Sequence, residues 1–219
     1  MKTVDLGRMS YRRAWEEQLR CLELVIAGGE DTLVFVEHDP VLTLGASFHT
    51  DNLLLTPEQY QERGIEVVKT DRGGDVTYHG PGQLVIYPVF NLKRHGQDLH
   101  KWLRDLEEAV IVGLRPFGIQ GWRFPPHTGV WVGESHNHDQ NSARKIAAIG
   151  VKIRKWVNLH GIAINVENDL DAFSLIVPCG IIGYGVTSVA AQCPKNRPQL
   201  ADVRKTMEDA FMTVFESGA

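Results

Sequence analysis

The chain has 219 residues, of which 43% are hydrophobic and 23% charged, an ordinary composition for a globular domain with one sizeable core. A formal net charge of -4 argues against general nucleic-acid binding. No apolar run is long enough to span a bilayer, Met1 to Leu19 holds no signal-peptide core, and three widely spaced cysteines, Cys21, Cys179 and Cys193, make no disulfide framework. The expectation is therefore one cytoplasmic domain over 1–219, away from membranes.

In chain order, Trp15, Leu19, Leu22 and Ile26 recur at helical spacing after Ser10, and Gly28-Gly29 ends that helix. Leu33 to Val36 and Val41 to Leu44 are short continuous apolar runs that read as buried strands. Further strands are expected at Glu66 to Lys69, Gln83 to Phe90, Gly129 to Val132, Ile146 to Ile153 and Leu159 to Val166. Helices are expected from Asp98 to Leu114 and from Leu200 to Phe215. Neighbouring strands between separated helices predict an α+β sheet rather than strict βαβ alternation.

Three stretches stand out from this scaffold. In Ile176 to Ser188 a lone thiol, Cys179, sits behind Pro178 and ahead of Gly180, Gly183 and Gly185. Proline fixes φ and glycines allow close backbone approach, a frame that suits a presented nucleophile. The second stretch is Arg72-Gly73-Gly74-Asp75-Val76-Thr77-Tyr78-His79-Gly80-Pro81-Gly82-Gln83. It matches neither the dinucleotide fingerprint nor the P-loop. Its Gly-Pro-Gly reads equally well as a turn ahead of a strand, and Arg72 and His79 tilt it toward a ligand. In the third stretch, Arg144 to Arg154, Val151 to Arg154 alternates apolar and basic residues as a strand with one buried face does. Lys145 enters that strand beside small alanines, where a pocket is an alternative to solvent, although lysines are seldom buried.

Together these motifs, with Glu37-His38, Pro40-Val41, Thr43-Leu44-Gly45, Lys145-Ile146-Ala147, Gly150, His160-Gly161, Asn165 and Val186-Thr187-Ser188, resemble the lipoyl(octanoyl) transferase family, also called lipoate-protein ligase B. The resemblance runs in motif order from about Asp5 to the last helix. It implies the biotin/lipoate protein ligase catalytic-domain fold, roughly 28–215, a mixed sheet flanked by helices. It also implies transfer of an octanoyl group from octanoyl-acyl carrier protein to a lysine of lipoyl domains in 2-oxoacid dehydrogenase complexes or of the glycine-cleavage H protein. No cofactor and no metal are implied.

Carried over residue by residue, the resemblance makes Cys179 the acyl-thioester nucleophile and Lys145 the group that lowers its pKa. Arg72, Gly73, Gly74, Asp75, Val76, Thr77, Tyr78 and His79, then Ala148, Ile149 and Gly150, then Gly161, Ile162 and Ala163, fall on substrate-binding segments. The polar stretch Glu134 to Arg144 looks longer than the short hairpin that usually precedes this lysine.

Elementary electrostatics supports the dyad. A thiol near pKa 8.5 is only a few per cent thiolate at neutral pH, and lowering it by about two units needs about 3 kcal/mol. An ammonium about 4 Å away supplies about 4 kcal/mol at an effective dielectric of 20, before desolvation. About seven buried carbons at about 0.8 kcal/mol each would then hold the acyl chain in an apolar slot.

Blander roles are expected elsewhere. Cys21 and Cys193 are spectators, His38 is structural, and His79 and His160 orient substrate or backbone. Lys152, Arg154 and Lys155 are either a docking patch for an acidic carrier or a solvated strand face. Two alternatives stay open: a thiol hydrolase using Cys179 with His79 or His160, and a metal-binding module on His136 and His138.

Overall fold

The structure is a computed structural model that describes residues 1–133, 142–177 and 184–216. The chain begins with β1 (Lys2–Met9), α1 (Tyr11–Ile26), β2 (Thr32–His38) and β3 (Val41–Leu44). Next come α2 (Pro57–Glu62), β4 (Glu66–Lys69), β5 (Val76–His79), β6 (Gln83–Val89) and α3 (Leu99–Leu114). The remainder is β7 (Trp122–Phe124), β8 (His127–Val132), β9 (Arg144–Arg154), β10 (Val157–Asn165), β11 (Gly185–Val186), α4 (Val189–Gln192) and α5 (Leu200–Glu216).

The main sheet runs β1-β2-β6-β10-β9-β8-β7, with β11 added against β9, and β3 forms a small sheet between β4 and β5. The pairings β1–β2 and β9–β11 are parallel, whereas β2–β6, β6–β10, β10–β9 and β9–β8 are antiparallel. This mixed sheet agrees with the α+β expectation. On one face α3 and α5 bury Trp102, Leu106, Val110, Met207 and Phe211 against Leu84, Ile86, Ile146 and Ile162. On the other, α1 packs Ala14, Leu22 and Val25 against Val34, Val85 and Leu159.

Two helices depart from the apolar stripe read in the sequence. The fully buried positions of α1 are Tyr11, Ala14, Gln18, Leu22 and Val25, so a glutamine sits where a periodicity of hydrophobic residues puts none. It is there because His160, at φ +57° within β10, donates its backbone N–H to Gln18 Oε1 at 3.1 Å. In α3, Glu107 is fully buried while Leu99 is 47% exposed.

β1, β5 and β7 were not expected. β1 is an edge strand carrying Asp5 and Arg8 among apolar residues, so its pattern is diluted. β5 lies inside the stretch that also reads as a turn, and it is a strand because Val76 to His79 pair with Val41 to Leu44. No helix among the described residues is long and apolar enough to cross a membrane.

Candidate active site

The site begins with a break in strand register. Ala147 on β9 lies opposite Val130 on β8, but the next pair is Lys145 with Trp131, leaving Ile146 as an extra residue. Such a bulge re-aims side chains. Ile146 and Ala147 both join the core under α3 and α5, as do Ile149, Val151 and Ile153. In an unbroken strand Lys145 shares the face of Ala147. The bulge turns it instead to the face of Ala148, where both line a pocket with Thr77, Gln83, Ala163, Asn165 and Phe173. Nζ of Lys145 lies 4.8 Å from the centroid of the Trp131 ring, within cation–π range.

This pocket lies between the main sheet and β5, with Lys145 and Trp131 in its wall. A second chamber shares Thr77, Ala148 and Ala163 with it and continues to Gly150, Gly161, Val85, Tyr87, His160 and Tyr11. Ala148 and Ala163 are direct partners across β9 and β10. Two alanine side chains therefore stand where the two chambers meet.

Of the sequence-predicted binding residues, Arg72, Thr77, His79, Ala148, Gly150, Gly161, Ile162 and Ala163 line one or both chambers. Gly73, Gly74, Asp75, Val76, Tyr78 and Ile149 are not among the lining residues and serve the frame. Gly73 N–H donates to Val151 O at 2.9 Å. Asp75 Oδ1 accepts from Val76 N at 2.8 Å, Val76 and Tyr78 pack under the small sheet, and Ile149 faces the α3 side. Gly45 closes the frame from β3: a Cβ there would lie 2.2 Å from Gly74 O, so only glycine lets the loop dock so closely.

A directional hydrogen-bond chain runs beneath the pocket. Arg72, 6% exposed, donates from Nε to Thr43 Oγ1 at 3.0 Å and from Nη2 to Asp75 O at 2.7 Å. Gln83 donates from Nε2 to Tyr78 O at 3.2 Å and Asn165 Oδ1 at 2.9 Å, leaving its Oε1 to accept from His79 Nδ1 at 2.8 Å. His79 Nε2 then accepts from Thr43 Oγ1 at 3.4 Å. Asn165 Nδ2 donates to Thr187 O at 3.0 Å, and Thr187 N–H donates to Lys145 O. The chain therefore joins Arg72 to the strand carrying the lysine. Gln83 and Asn165, read in the sequence only as parts of motifs, are its centre.

The histidines are neutral elements of this frame. Burial pushes His79 well below its ordinary value and His38 down to about 4. At His160 burial outweighs Asp71, which lies 2.9 Å from Nε2, and the value falls to about 4. Tyr11 Oη is 3.3 Å from His160 Nδ1. Both ring nitrogens of His79 and of His160 are thus engaged, which disfavours either as the base of a thiol hydrolase. His38, bonded to Tyr87 Oη at 2.6 Å, is structural as expected. His127 is shifted down by burial and by the charge of Lys145.

Cys179 lies outside the described residues, as do His136 and His138; among the described residues no cluster of potential metal ligands occurs. β11, just beyond Cys179 in the chain, pairs with Arg144 and Lys145. Lys152 and Arg154 are exposed toward the opposite end of β9, roughly 20 Å or more from Lys145 at 3.3 Å per residue. A carrier docked there would sit at the far end of the slot from the lysine.

The architecture is the fold of lipoate and biotin protein ligases. A structure of a bi-partite lipoate protein ligase and its E2 lipoyl domain from Thermoplasma acidophilum superposes with TM-score 0.72 at 17% identity, covering 98% of this chain and 83% of the other. A biotin protein ligase from Aquifex aeolicus gives 0.56 at 14% identity, covering 98% and 72%. Sequence comparison narrows the class. Residues 10–212 match the lipoyl protein ligase A/B catalytic domain, and the chain belongs to that family. It is 44% identical to an octanoyltransferase of Chloroflexus aggregans over 99% of this chain and 95% of the relative. It is 48% identical to one of Roseiflexus sp. over 85% and 76%.

Proposed function

We propose that the protein is an octanoyltransferase that moves an octanoyl group from octanoyl-acyl carrier protein to a lysine of a lipoyl domain through a thioester on Cys179. The Cys179 thiolate attacks the carbonyl carbon of the donor thioester, the carbon–sulfur bond to the carrier breaks, and the carrier leaves as a thiolate that takes a proton from the Lys145 ammonium or from solvent. The acceptor lysine, as a free amine, then attacks the acyl-enzyme. The new amide forms as the bond to Cys179 breaks, and the amine proton passes to solvent or to the departing thiolate.

The observation that carries this reading is Lys145, turned by the bulge out of the core and into an apolar slot. An ammonium there favours a neighbouring thiolate, and the two chambers beyond it accept an acyl chain. The donor thioester is already activated, so the cycle balances without ATP. Lipoyl domains of 2-oxoacid dehydrogenases and the glycine-cleavage H protein are the acceptors in this reading.

The test is transfer from octanoyl-carrier protein to a purified lipoyl domain. Wild type transfers, while Cys179→Ala and Lys145→Ala lose most of the rate. Transfer at wild-type rate by Cys179→Ala would remove the acyl-enzyme from the account.

A further inference from the structure

Glu107 is a carboxylate that the acyl-transfer chemistry does not use, yet it is fully buried in α3. Its Oε1 accepts the backbone N–H of Gly129 at 3.0 Å. Its Oε2 lies 2.9 Å from Arg104 Nη1 and 3.3 Å from Arg123 Nε. Such pairs, with the arginines 43% and 33% exposed, are a weak source of stability, because solvent screens the attraction while the carboxylate is desolvated. Its placement therefore calls for another explanation.

Gly129 supplies that explanation. It sits on β8 beside Val130, where the register with β9 shifts, at φ +125°. A Cβ on Gly129 would lie 2.6 Å from Ala147 O and 3.5 Å from Lys145 Cε. A side chain at Gly129 would thus collide with Ala147 O and reach the lysine stem, so the absence of one leaves room for both. At a bulge the ladder is locally interrupted, and a buried N–H there needs an acceptor from elsewhere. Glu107 provides one from α3, and the two arginines balance the charge of the carboxylate.

We propose that Glu107 is a positioning residue: through Gly129 it holds the β8–β9 bulge in the register that aims Lys145 into the acyl pocket. This rests on Lys145 being the group that activates Cys179. Without the acceptor, β8 and β9 can re-pair in regular alternation, which turns Lys145 toward the core face and away from the pocket.

The test is the pH dependence of Cys179 alkylation, followed on the peptide that carries it, in full-length Glu107→Leu and Glu107→Gln. Thermal unfolding is measured alongside. Glu107→Leu moves the alkylation inflection up by about one unit and slows acyl-enzyme formation about tenfold. Glu107→Gln, whose side-chain carbonyl still accepts from Gly129, stays within a few tenths of a unit of wild type. If the leucine variant does not fold, Glu107→Asp carries the test. It keeps the charge for both arginines but draws it back one methylene from Gly129, and it moves the inflection in the same direction.

A folded Glu107→Leu or Glu107→Asp with the wild-type inflection overturns the proposal, as does Glu107→Gln shifting as far as leucine. Lys145→Ala separates the two levels. If it leaves the inflection unmoved, the dyad itself fails and takes the proposal with it. If it moves the inflection and Glu107→Leu does not, only the proposal fails.

Discussion

Gln83 Nε2 lies 2.9 Å from Asn165 Oδ1, and this contact joins the Arg72–His79 segment to the strand beside Lys145. Both side chains are buried, so each polar atom that loses its partner pays desolvation without return. Asn165→Leu takes the donor from Thr187 O and an acceptor from Gln83 and Asn168. The expected loss is about 2–3 kcal/mol, read as a lower urea midpoint with unchanged slope. A loss under about 0.5 kcal/mol would mean the chain beneath the pocket carries no energy.

If the two chambers hold the acyl chain as proposed, their junction sets how deep it reaches. Ala163→Val narrows it from β10 without adding a polar group. The ratio of kcat/KM for hexanoyl over octanoyl thioester is expected to rise about tenfold, the scale of one or two methylenes in an apolar pocket. Equal losses for both chains would place the chain elsewhere.

The buried histidines make stability depend on pH in a definite direction. His38 and His160 titrate near 4 in the fold and near 6.5 in the unfolded chain. As pH falls below about 6.5 the unfolded chain binds protons that the native protein refuses, so stability present above that pH drains away toward 4. Each contributes a loss of about 2 kcal/mol between pH 7 and pH 5. Urea midpoints at the two pH values measure it. Since burial holds His79 down as well, His160→Asn, tolerable at the left-handed φ of this position, should remove about a third of the difference. A midpoint independent of pH would mean that these rings are protonated in the fold.

Much of this was legible in the chain. The continuous apolar runs gave β2 and β3 because buried strands need no alternation, and the long helices announced themselves through apolar residues at helical spacing. The motif resemblance singled out Lys145, which lines the first pocket. What periodicity did not reveal was set by tertiary partners: Gln18 is buried because His160 needs an acceptor, and Glu107 because Gly129 does. The bulge left a faint trace. Ile146 and Ile149 are three apart where Ile149, Val151 and Ile153 are two apart, and this slip of phase marks the extra residue. Ala147 and Ala148 obscure it, since alanine fits either face. The segment with Cys179 was singled out by its proline and glycines, and its role rests on chemistry rather than on a described position.

That role is tested most directly by intact-mass analysis after mixing the protein with octanoyl-acyl carrier protein. The account predicts one added octanoyl mass, located by digestion on the peptide containing Pro178, Cys179 and Gly180, and discharged when a lipoyl domain is added. An adduct on another residue, or a Cys179→Ala protein that transfers at the wild-type rate, would contradict it.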